Sequence, residues 1–181
     1  MILTGKKIAS EVAAGRIRID PFDTKRLSPN SYDFTLGSTL KWYRNYVLDC
    51  RRENPTVSAH IPPTGFLLHP GRIYLGHTVE TMGSDHFVPI IRGRSSIARL
   101  GLFIHVTADI IDIGSHNQWT LQLHAVQPMR IYARMIVGQV TFWQPEGDIT
   151  LYKGKYQGSV GPWGSMIHLD DQPLSDPEDD T

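Results

Sequence analysis

The sequence predicts an all-β domain, a sandwich or barrel with one short helix at its N-terminus. Three observations carry this expectation. Residues 30–37 alternate apolar and polar side chains. From Leu40 onward short apolar runs are separated by turn residues. No long helical period occurs after the first fifteen residues.

The elements follow in order. Thr4 is placed to cap a helix running from Lys6 to Ala14, with Ile8 and Val12 on one face and Gly15 at its end. Arg16 to Pro21 reads as extended. Asn30 to Gly37 sets Tyr32, Phe34 and Leu36 against Ser31, Asp33 and Thr35, the pattern of a half-buried strand stopped by glycine. Further strands are expected at Phe66–Leu68, at Ile73–Leu75 ending on Gly76, and at Phe87–Ile91 leading into Gly93. The last four are at Phe103–Val106, Trp119–Ala125, Met129–Tyr132 and Ile136–Trp143. With no internal repeat and no linker, residues 1–169 read as a single domain. Residues 170–181 form an acidic tail with almost no apolar residue, which is expected to be disordered.

Composition narrows the function classes. The 181 residues are 40% hydrophobic and 20% charged, with 18 Lys and Arg against 18 Asp and Glu. That balance removes the positive field on which general nucleic-acid binding rests, but leaves room for a small anion held by a few local cations. The only cysteine, Cys50, has no partner for an intramolecular disulfide, which fits a reducing compartment. No apolar run has the length of a signal peptide or a membrane span, so a soluble, cytoplasmic protein with no membrane partner is expected. The zinc-deaminase pattern of H-x-E with P-C-x-x-C is missing, and no two of the eight histidines are spaced H-x-x-x-H, so no zinc is expected.

The sharpest local feature is Gly93–Gly101, GRSSIARLG. Ser95 or Ser96 is expected to cap a short helix closed by Gly101. Its N-terminal amides, two hydroxyls and the guanidinium groups of Arg94 and Arg99 would form a phosphate cradle. Taken alone, the same residues also describe a capped loop with two solvated arginines.

The wider context is specific. GRSSIARLG is followed by HVTA at residues 105–108 and by Ile111-Asp112. It is accompanied by MILTGKKIASEVAAGRIRIDPF, SYDFTLG, HPGRIYLGHTVE, RMIVGQVTFW and KYQGSVGP, in that order. Together these resemble the dCTP deaminase family, within the dCTP deaminase/dUTPase superfamily, over most of residues 1–164. The resemblance implies a distorted, jelly-roll-like β-barrel acting as a homotrimer. It also implies conversion of dCTP to dUTP and ammonia without a metal at the deaminating centre, Mg²⁺ arriving only with the triphosphate. Hydrolysis of dUTP or a related triphosphate is the alternative activity.

The resemblance also assigns residues. Arg94, Ser95, Ser96, Ile97, Ala98 and Arg99 would bind the nucleotide, with Ser95 and Arg99 also beside the reacting base. Asp112 would meet the deoxyribose 3′-hydroxyl. Thr120, Leu121 and Gln122 would lie beside the base, and Tyr152, Lys155 and Ser159 would close over the nucleotide. His105, expected in a strand, reads as structural. His124 shares a strand face with Thr120 and Gln122 and is able to line the pocket.

The departures fall at the base end. The family strand T-L-E-L reads Thr120-Leu-Gln122-Leu here, so Gln122 takes the position of the proton-shuttling Glu. An amide hydrogen-bonds but does not exchange protons near neutral pH. The family's D-P-G-F-x-G turn is Asp112 to Asn117, the Asn of L-H-N is Ala125, and the last Gln of K-Y-Q-G-Q is Ser159. Three readings stay open. One is an engineered Glu→Gln change, which explains Gln122 alone. Another is a divergent hydrolase working at the phosphate end with Mg²⁺ and the carboxylates of Asp33 and Asp112. The third is a divergent deaminase or a non-catalytic nucleotide binder.

Overall fold

A computed structural model describes residues 1–170, so the acidic tail beyond Asp170 lies outside the described residues. The chain opens with helix α1 (Gly5–Ala13). Thr4 caps it as expected, its hydroxyl accepting the Lys7 N–H at 3.4 Å, and Gly15 follows the end at φ +72°. Ile8 is buried in the core. The carboxylate of Glu11 is covered by its partners, receiving Lys7 Nζ at 2.7 Å, Arg16 Nη2 at 2.8 Å and Arg16 Nε. These partners hold the Glu11 carboxyl down at about 2, first through the Arg16 hydrogen bond and then through Lys7.

Twelve strands follow: β1 (Arg18–Asp20), β2 (Leu27–Ser28), β3 (Ser31–Thr35), β4 (Thr39–Tyr43), β5 (Thr56–His60), β6 (Phe66–Leu68), β7 (Tyr74–Gly83), β8 (Val88–Gly93), β9 (Leu102–Phe103), β10 (Asn117–Ala125), β11 (Met129–Ile131) and β12 (Ile136–Trp143). A four-residue helix, α2 (Ser95–Ala98), separates β8 from β9. The largest sheet has the order β5-β4-β7-β10-β9, with β1 also on β7. A second sheet runs β2-β3-β12-β8, and β11 pairs with β6. The pairings are antiparallel throughout. One core lies between the sheets, with Tyr32, Phe34, Leu40, Leu121, Leu123, Val140 and Phe142 fully buried. The all-β architecture is the one the sequence predicts.

Three local expectations are corrected. β3 is not half-buried: all five residues are buried. Its polar positions are tolerated because each finds a partner. Ser31 Oγ donates to Gln139 Oε1 at 2.9 Å, Thr35 donates from N–H and hydroxyl to Glu80 at 3.0 and 2.9 Å, and Asp33 pairs with Arg94. Gly76 does not end a strand. β7 runs through it, and the glycine serves close packing, since an added Cβ would fall 3.0 and 3.1 Å from Leu36 and Leu123. The strand expected at Phe103–Val106 is only Leu102–Phe103, so His105 lies in the loop beyond it.

Candidate functional site

The cradle sequence forms one tight turn. Arg94, not a serine, is the N-cap residue. Its φ and ψ of −67° and 138° continue strand geometry, its N–H still bonds Val137 O at 3.2 Å, and no side chain caps the helix. Ser95 and Ser96 therefore keep both hydroxyls uncommitted and exposed. Four residues carry little macrodipole, so an anion held here would rely on discrete donors: two hydroxyls, the first N–H groups and the guanidinium groups of Arg94 and Arg99. Ile97, 7% exposed, plugs the turn into the core. Gly101 ends it at φ +83°, where a Cβ would fall 2.2 Å from Val126 Cγ2.

Asp33 supports this turn from below. Its Oδ2 lies 3.3 Å from Arg94 Nη1, with the carboxylate largely buried and the guanidinium half exposed. Burial pushes the Asp33 carboxyl up, against the opposing pull of Arg94 and then Arg26. Asp33 is thus bound to the cradle arginine and is not among the residues lining the cavity that Asp112 lines.

A cavity of about 410 Å³ opens against β10, within the size range of small-ligand sites. Of the predicted residues, Asp112, Thr120, Gln122, Tyr152 and Ser159 line it. Leu121 is wholly buried on the opposite face, so its side chain belongs to the core. Arg94, Ser95, Ser96, Ile97, Ala98 and Arg99 are not among the lining residues, and neither is Lys155. The structure gathers the base-and-sugar half of the expected site and leaves the cradle outside it.

Asp112 sits at the start of a turn in which Ser115 N–H reaches Asp112 O at 3.1 Å. Gly114 is required there, with φ +89° and an added Cβ 2.9 Å from Tyr152 N. The close approach lets residues 152–166 strap across β10. Tyr152 N–H donates to Ile113 O at 2.8 Å and Ser159 N–H to Asn117 Oδ1 at 3.0 Å. Gly161 N–H donates to Gln118 Oε1 at 2.8 Å and Trp163 N–H to Thr120 Oγ1 at 3.1 Å. Tyrosines fix the far end: Tyr156 OH accepts Met166 N–H and Tyr43 OH accepts Ser165 N–H, both at 2.8 Å. Trp119, Tyr156 and Trp163 also line the cavity and were not anticipated. The aromatic spacing in the late loop was the available signal for the last two.

Gln122 is held at two points. Its N–H bonds Ile104 O at 3.0 Å, and Val106 N–H donates to its Oε1 at 3.4 Å. His105, between those two contacts, has a buried Nδ1 without a hydrogen-bond partner. Burial, and then the charge of Arg92, push its pKa down from the ordinary histidine value. His124 shares the outer face of β10 but lies against Phe103, ring centroids 6.1 Å apart, and does not line the cavity. Lys155 is paired with the Asp170 carboxylate and sits 5.6 Å from the centre of the Tyr156 ring. Among the described residues no group of three or more His, Cys, Asp or Glu is placed to hold a metal ion, and no helix is long and apolar enough to cross a membrane.

Comparison with known proteins adds to this geometry. The dCTP deaminase-like family model matches residues 2–145. A protein of Clostridium beijerinckii named dCTP deaminase, dUMP-forming, is 43% identical over 171 residues, covering 94% of this chain and 98% of the relative. A Leptospira biflexa protein of the same name is 42% identical with the same coverage. The solved structure of 2'-deoxycytidine 5'-triphosphate deaminase from Agrobacterium tumefaciens superposes with a TM-score of 0.61 at 19% identity. That match spans 78% of this chain and 47% of the other, a likeness of fold.

Proposed function

Because the chain belongs to the dCTP deaminase-like family, we propose that it acts on a pyrimidine deoxynucleoside triphosphate, dCTP or its deaminated form dUTP, and ends at dUMP. The observation that carries this reading is the convergence of Asp112, Thr120, Gln122, Tyr152 and Ser159 on one cavity. The relatives' names supply the product: they are dUMP-forming, so dUTP is better written as an intermediate than as the released product expected from sequence.

Two hydrolytic steps connect dCTP to dUMP. Water adds to C4 of cytosine and the amine leaves as ammonia. A second water then attacks the α-phosphorus and pyrophosphate leaves. The first step needs a group that takes a proton from water and returns one to the amine, a service typically contributing about 10²–10⁴-fold. Gln122 does not provide it. The second step needs charge on the phosphates, which Arg94, Arg99, Ser95 and Ser96 would supply, with Mg²⁺ entering on the triphosphate.

The cradle and the cavity are complementary halves, and we propose that they meet between copies of the chain, in a homotrimer. Supporting this, Leu100, Phe103, Val106 and Ile110, all near the cradle, are about half exposed or more, an apolar surface suited to a second copy.

The test is a product assay. The protein is incubated with Mg²⁺ and dCTP or dUTP, and ammonia, pyrophosphate and nucleotides are separated. Formation of dUMP from at least one of the two substrates is expected. Lack of any product from both at high protein concentration would remove the enzymatic reading.

A further inference from the structure

A backbone N–H only donates, so the contact between Val106 N–H and Gln122 fixes which way the amide faces. Its oxygen turns toward Val106 and its NH₂ turns the other way. Gln122 lines the cavity, and no described residue accepts a hydrogen bond from its Nε2. Once a bound ligand excludes water, a donor left unpaired in the cavity wall is costly unless the ligand brings an acceptor.

Pyrimidine bases differ in just this property. Both cytosine and uracil carry an acceptor at O2. At C4, cytosine presents an amine that donates, whereas uracil and thymine present a carbonyl that accepts. An NH₂ held toward C4 meets a carbonyl with a hydrogen bond and an amine with two opposed donors. A carboxylate at the same place would do the reverse.

We infer that Gln122 sorts nucleotides by the group at C4 of the base, so that this site admits a 4-oxopyrimidine deoxynucleoside triphosphate in preference to dCTP. The inference rests on the reading that the cavity holds the base. It goes beyond that reading by assigning the choice of substrate to one amide, oriented by one backbone N–H. It places the chain's activity on the pyrophosphate-releasing step, since the entering base already carries the oxygen that deamination would install.

The experiment is calorimetric titration of the purified full chain with dUTP and dCTP analogues in which an imido group bridges the α- and β-phosphorus, so that neither is cleaved there. The same samples are assayed for ammonia. The wild type is expected to bind the uracil analogue at least about tenfold more tightly than the cytosine analogue, the scale set by one mismatched buried donor. Gln122→Glu should lose or reverse that ratio. Gln122→Met, which keeps the length and removes the donor, should flatten it and stands in if the Glu variant does not fold. Equal affinities in the wild type, tighter cytosine binding, an unchanged ratio in both variants, or ammonia from the cytosine analogue would each overturn the inference while leaving a nucleotide site in place. No binding of either analogue would instead remove the underlying reading of the cavity.

Discussion

Asp33 and Arg94 form an ion pair 3.3 Å apart that joins the buried strand β3 to the exposed turn of the cradle. The carboxylate lies largely out of water while the guanidinium keeps one side open. The pair therefore orients Arg94 without neutralising all of its surface.

Its stability cost has a definite sign. Burial raises the folded-state pKa of Asp33 above its unfolded value. The folded chain then holds the proton more firmly, and the ionised group weakens the fold as pH rises through that raised value. Asp33→Asn is expected to be at least as stable as the wild type at pH 7 and to lose this part of the pH dependence, measured by thermal melts from pH 3 to 7. Triphosphate affinity should fall severalfold in the same variant, because Arg94 loses its orienting partner.

The cradle residues should distinguish phosphates from bases. Arg94→Ala or Ser96→Ala is expected to weaken triphosphate binding by about ten- to a hundredfold, the range for losing a charge-assisted hydrogen bond, while hardly changing nucleoside binding. Titration with dUTP and with deoxyuridine gives both values. Equal losses for the two ligands would contradict the assignment.

Glu11 predicts an acid-sensitive N-terminus. Its carboxyl is held at about 2, well below its ordinary value. The stabilisation is therefore present above the unfolded pKa near 4.5 and is lost as pH falls from there toward 2. Glu11→Gln should melt roughly 2–4 °C below the wild type at pH 7, the shift produced by about 1 kcal/mol in a domain of this size. The two melting curves should converge near pH 2.

Asp170 competes for a cation expected at the phosphates. It pairs with Lys155, and the pair is partly exposed. Exposed pairs are worth about 0–1 kcal/mol. Asp170→Asn should therefore tighten triphosphate binding by up to about fivefold and leave nucleoside binding unchanged. Unaltered triphosphate affinity would argue that Lys155 does not reach the phosphates.

The strands were legible wherever one side of a segment met the core, as in β10 and β12, because a period of two survives in the residues themselves. β3 was misread because the partners of its polar residues come from afar: Glu80 lies 45 positions away and Gln139 lies 108 positions from Ser31. The cap at the cradle was misread for a related reason, since the tie from Arg94 N–H to Val137 O keeps the chain in strand geometry one residue longer than the serines suggest. In the candidate site, Thr120 and Gln122 of β10 were visible through a motif. Trp119 was not, because it reaches the cavity where the pairing with β7 breaks between Gln118 and Thr120, and such a break is not written in a local pattern.

The strap of residues 152–166 forms much of the cavity wall, through Tyr152, Tyr156, Ser159, Trp163, Gly164 and Ser165. None of its residues belongs to the hydrophobic core, and all of them lie past residue 145, where the family match ends. The roof of the cavity is thus a strap whose own N–H groups are moored to side chains of the barrel, Asn117, Gln118, Thr120 and Tyr43. Releasing those few tethers would open the cavity while leaving the packed core in place.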